Sequence, residues 1–170
     1  GLHQDGCTSN YWEPIRSIFG ELRDIKKRSG KTKKWSELEG VAEKFYWPVL
    51  ELFTDEVKRF ESPEFCKNIA LFIIGNNDFY KLVSRSKEVS IHGYNIHNTL
   101  SVRKISMPNK IIDIRSKNGS VYSKTITFNS GWEFNFRIHN ASSKVEPSLK
   151  FDITATSLPP NLYRHNFHKR

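Results

Sequence analysis

From Trp132 to His139 the chain alternates without a break. Trp132, Phe134, Phe136 and Ile138 fall on one side, and Glu133, Asn135, Arg137 and His139 on the other. A period of two is the signature of a strand with one buried and one polar face. Leu149, Phe151 and Ile153 alternate in the same way with Lys150, Asp152 and Thr154, which predicts another half-polar strand. Residues 110–115 and 121–128 flank Lys117-Asn118-Gly119, and Asn-Gly is the strongest short hairpin signal. Ser130-Gly131 then turns into the alternating strand. Shorter strands are predicted at 79–83, 88–91 and 100–105, and the polar tail from Pro159 is expected to fray.

The first 75 residues follow a helical period instead. Ile15, Ile18, Phe19, Leu22 and Ile25 make one stripe of a helix predicted over 10–28, capped by Thr8 or Ser9, with Pro14 in its first turn. Leu38, Val41, Phe45, Val49, Leu52, Phe53 and Val57 continue a second stripe. Ser36 and Glu39 are placed to form a capping box ahead of it, and Pro48 predicts a kink or break near Trp47. Ser62-Pro63 opens a third helix running to about Ile74. It is apolar nearly all round, so it is expected to be the most buried, and Gly75-Asn76-Asn77 ends it. The pattern predicts an α+β fold: a helical subdomain over 1–77 and a β-rich subdomain over 78–170, with a mostly antiparallel sheet.

Charge changes this picture because it is uneven. The net charge is +9. Residues 1–100 carry 15 Lys and Arg against 14 Asp and Glu, and residues 101–170 carry 12 against 4, so the C-terminal part holds +8. Clustered positive charge is the electrostatic footprint of a polyanionic partner. A second basic cluster, Lys26, Lys27, Arg28, Lys31, Lys33 and Lys34, crowds a Ser/Gly/Thr loop, either as a solvated surface loop or as a phosphate-contacting one. No apolar run is long enough for a membrane helix and the first residues do not read as a signal peptide, so the cytoplasm is the default location. Cys7 and Cys66 form neither a CxxC nor a zinc framework.

The polar face of the alternating strand suits base recognition. Arg137 can fork onto guanine O6 and N7, and Asn135 or Asn140 can pair with adenine or reach a phosphate. His139 shares that face. Ser142, Ser143 and Lys144 follow in a loop suited to phosphate contacts, Lys150 lies on the polar face of the next strand, and Arg103 and Lys104 add charge nearby in sequence. The alternative for this face is a solvated sheet surface with cross-strand pairs such as Glu133 with Lys150.

The segment RIHNASSKVEPSLKFDI, from Arg137 to Ile153, resembles the C-terminal signature of HaeIII-like type II restriction endonucleases. GCTSNYWEPI from Gly6 and GNNDFYK from Gly75 are similar to two further stretches of that family. The resemblance implies magnesium-dependent cleavage of double-stranded DNA at short palindromes, typically GGCC. It also implies a nuclease core expected before residue 1, which makes that core a partner of this chain. A homodimer is open as the oligomeric state. Such a core needs a strand-borne acid followed by acid-x-lysine. Here Asp24-Ile25-Lys26 lies at a helix end, Asp113-Ile114-Arg115 ends in Arg, and Pro147 separates Glu146 from Lys150. His92, His97 and His139 lack metal-ligand spacing. The expectation is therefore a DNA-recognition part with no catalytic or metal-binding residue of its own, and Mg²⁺ serving the whole family enzyme. The alternative is a stand-alone nucleic-acid-binding module.

Overall fold

A computed structural model describes residues 2–3, 13–97, 104–116, 119–159 and 164–168, without the side chains of 2, 3, 14 and 164–168. The chain is α+β. Its helices are α1 (Glu13–Arg28), α2 (Trp47–Arg59) and α3 (Pro63–Ile74). Its strands are β1 (Leu2–His3), β2 (Phe79–Ser84), β3 (Glu88–Tyr94), β4 (Ile111–Ser116), β5 (Ser123–Phe128), β6 (Glu133–Asn140), β7 (Ser148–Ser157) and β8 (Arg164–His168). One sheet has the order β1-β7-β6-β5-β4 and the other β2-β3-β8. The chain forms two compact units, the first from 1–60, 113–126 and 134–154, the second from 61–112, 127–133 and 155–170.

In the first unit the predicted stripes become the core. Ile15, Phe19 and Leu22 of α1 pack with Phe45, Val49 and Leu50, and Ile138, Val145 and Leu149 complete the cluster. Glu13 in the first turn of α1 and Lys26, Lys27 and Arg28 in its last turn match the helix dipole. The expected capping box at Ser36 does not form. Trp35–Glu37 is a single 3-10 turn, and Leu38 leaves it in extended conformation. Trp35 instead buries its ring edge-on against Phe45, centroids 6.1 Å apart. The disturbance expected at Pro48 is present as a π segment, Ala42–Tyr46, in which Trp47 N–H reaches Ala42 O five residues back. Pro48 has no N–H to give and its ring crowds the preceding turn, so the wider turn sits just before it.

In the second unit Ser62 caps α3, its Oγ accepting from Phe65 N–H at 3.1 Å. The expectation that α3 is the most buried helix is wrong. Only Cys66 and Ala70 are buried and Phe72 is 85% exposed. A helix buries only the stripe that a neighbour covers, and here that stripe is narrow. Burial pushes the Cys66 thiol above its ordinary value, with the charge of Glu61 adding to the effect. β2 and β3 form a regular antiparallel hairpin, with Phe79 stacked on Tyr94 at 4.9 Å. The tail does not fray as expected: β8 pairs antiparallel with β3, Glu88 opposite His168 and His92 opposite Arg164. Free N–H and C=O groups on β3 offer a ladder, and a polar segment can take it as well as an apolar one. The turn into β6 holds Ser130 at φ 62° and Gly131 at φ 85°, and Trp132 is fully buried, its indole N–H donating to Ser106 O at 2.8 Å. The caps at Thr8 and Ser9, Cys7, the Lys117-Asn118 turn and residues 98–103 lie outside the described residues. At the end of the strand expected over 100–105, Lys104 makes only an isolated parallel bridge to Asn95.

Candidate nucleic-acid interface

β6 keeps the register its sequence predicts. Phe134, Phe136 and Ile138 are buried, and the intervening side chains face outward. Phe53 of α2 fixes the inner face, its ring 4.9 Å from Phe136 and 5.4 Å from Phe151. On the outer face Arg137 is exposed, with no ion-pair partner among the described residues, so its fork is available to a ligand. Asn135 differs: its amide donates to Thr125 Oγ1 at 3.0 Å and more weakly to Lys124 O at 3.4 Å. His139 Nδ1 donates to Asn140 O at 2.8 Å. Its Nε2 lies 3.1 Å from Asp152 Oδ1, close enough for an ion pair when the ring is protonated but off the line of a hydrogen bond. Glu133 accepts from Thr127 and Thr156 hydroxyls at 3.0 and 2.8 Å, which replaces the pairing with Lys150 weighed above. Lys150 is exposed on β7.

The loop after β6 is bound into the fold. Asn140 Oδ1 accepts from Tyr46 Oη at 3.2 Å, and its Nδ2 donates to Ser142 O. Ser142 Oγ donates to Lys144 O at 2.9 Å, and Ser143 O accepts from Trp35 N–H at 3.1 Å. Val145 N–H reaches Lys33 O at 2.9 Å, and Lys26 pairs with Glu146. The amide of Asn140 is therefore engaged in folding, whereas the Lys144 ammonium is exposed beside the basic loop that follows α1. In that loop Gly30 and Lys31 are both left-handed, at φ 60° and 68°. That conformation is expected for glycine and costs a lysine about 1 kcal/mol. No sequence period links residues 31–34 to 143–145, so the sequence offered the basic loop with Lys34 as a possible phosphate contact but did not join it to the polar face of the strand. Arg103 lies outside the described residues. Lys104 belongs to the second unit, where with Lys67, Asn76 and His97 it lines a cleft of about 410 Å³.

Burial pushes the Tyr46 phenol above its usual value of 10.0. Because its folded value is raised, its contribution to stability is complete below the unfolded value and declines as pH rises through the folded one, in the range above 10. Tyr46→Phe is expected to cost about 0.5–1.5 kcal/mol by urea denaturation at neutral pH, since Asn140 loses a donor. An unchanged midpoint would show that this bond contributes nothing.

The acid-lysine combinations are placed structurally. Asp113 pairs with Arg115 at 2.9 Å, Glu146 is taken by Lys26, and Asp24 is exposed on α1. Among the described residues no three His, Cys, Asp or Glu side chains are grouped to hold a metal. No helix among them is long and apolar enough to cross a membrane.

The model of the HaeIII restriction endonuclease family matches residues 4–159, which reaches into both units and covers the whole of β6 and its loop. The chain belongs to that family. It is 34% identical over 174 residues to the type II restriction enzyme HaeIII of Haemophilus aegyptius, a match covering 91% of this chain and 53% of that protein. The HaeIII-family chain thus spans about half the length of the curated relative it matches. No solved structure matches it.

Proposed function

We propose that this chain is the DNA-recognition part of a type II site-specific restriction endonuclease acting on a GGCC-like duplex site. One observation carries the reading: Arg137 is exposed, with no ion-pair partner among the described residues, on the outer face of a strand whose inner face is locked in the core. A guanidinium held on a rigid strand suits the bidentate contact to guanine, and a GGCC site offers guanine on both strands. Lys144 and Lys150 supply phosphate contacts, which fix register without reading sequence. His139, engaged with Asp152, completes the outer face as a positioning group. In this reading the hydrolytic carboxylates and their Mg²⁺ belong to the remainder of the family enzyme.

Arg137→Ala is expected to cost about 1–3 kcal/mol on the specific duplex and little on random duplex. If the substitution lowers the melting temperature and leaves discrimination intact, Arg137 is a structural residue. A plasmid bearing GGCC, incubated with the chain and magnesium, is expected to be bound and left uncut. Cleavage that disappears on Glu146→Ala or Asp152→Ala would instead place an active site within the signature.

A further inference from the structure

Lys34 and Lys144 face each other across an antiparallel bridge. The flanking bonds, Trp35 N–H to Ser143 O and Val145 N–H to Lys33 O, make this the non-hydrogen-bonded kind of pair. In that arrangement opposed Cα atoms come to about 4.5 Å and both side chains leave from the same side. Both lysines are exposed, and neither has an ion-pair partner among the described residues. The nearby acids are engaged elsewhere: Glu37 lies 3.5 Å from Lys33, and Glu146 pairs with Lys26. Like charges directly opposite each other weaken a ladder, and the backbone bonds here would form equally well with a neutral residue at either position. An anion seated between the two ammonium groups supplies the missing countercharge.

We infer that Lys34 and Lys144 clamp one backbone phosphate of duplex DNA. This rests on the reading of the chain as a DNA-recognition part. It adds a loop 100 residues before the alternating strand to the interface, and it assigns that loop the sequence-independent share of the affinity. Lys31 and Lys33 extend the same basic track along the loop. The free protein carries the repulsion, and DNA relieves it. Neutralising either lysine therefore weakens binding without weakening the fold.

The test is equilibrium binding of the full chain to a labelled GGCC duplex and to a scrambled duplex across a salt series, with thermal melting of each variant alongside. Lys34→Gln and Lys144→Gln are each expected to lower affinity for both duplexes by roughly three- to tenfold, and the double variant to make the salt slope shallower by about 0.9, the share of the one phosphate they hold. The double variant loses less than the product of the single losses, because one phosphate is shared. Melting temperatures of the free variants stay level or rise, and Lys58→Gln on α2 binds as the parent does. The clamp is wrong if Lys34→Gln keeps the parent affinity, if the double variant keeps the parent slope, or if the loss of affinity comes with a lower melting temperature. If the parent chain binds no duplex at low salt, the DNA reading falls and the clamp with it. If the parent binds and only Arg137→Ala changes binding, the clamp alone falls.

Discussion

Affinity for duplex DNA is expected to collapse as salt rises, with a log–log slope of about −0.9 for each phosphate neutralised. The basis is the +8 carried by residues 101–170, together with the basic loop that the fold brings to Lys144. Six to ten such contacts would weaken binding by roughly 10³–10⁵ between 50 and 200 mM salt. Lysine charges on the protein surface are screened over about 10 Å at 0.1 M, so the effect acts through contacts at the interface and not through net charge at a distance. Fluorescence anisotropy on one duplex at five or six salt concentrations measures it. A flat dependence would mean that the positive charge serves solubility alone.

Phe134→Ala is expected to cost about 3–5 kcal/mol of stability, and Arg137→Ala within about 0.5 kcal/mol. The two residues are three apart on one strand. Phe134 is fully buried, and its truncation leaves a cavity that the surrounding ring and aliphatic side chains fill only in part. Arg137 is exposed and gives up solvated surface. Urea denaturation of both variants, compared at the same slope, decides the matter. Comparable losses would mean that the two faces of β6 are not distinguished as the structure has them, and the reading of Arg137 as a free recognition group would go with them.

The alternation of β6 was legible in the chain because side-chain direction on a strand is a local property with period two. The same holds for the stripe of α1, where Ile15, Phe19 and Leu22 recur at helical spacing, for the Ser62 cap and for the disturbance ahead of Pro48. Each depends on residues within a turn or two of one another. The family was legible too, from the run between Arg137 and Ile153, and the uneven charge pointed to a polyanion before any geometry was known.

Tertiary structure decided the rest. Whether an asparagine on a polar face is free to read a base depends on what lies beside it: Thr125 takes Asn135, and Tyr46 takes Asn140. Composition made α3 look like the deepest helix, but burial is fixed by neighbours, and Phe72 has none covering it. The polar segment after Pro159 joined a sheet because β3 presented an open edge, which composition does not register. Lys26 meets Glu146 across 120 residues of sequence, and the neighbouring backbone bonds set Lys34 against Lys144. No periodicity encodes such a meeting. It follows from how α1 and β6 pack into one core, and that packing turns two separate basic stretches into one charged surface.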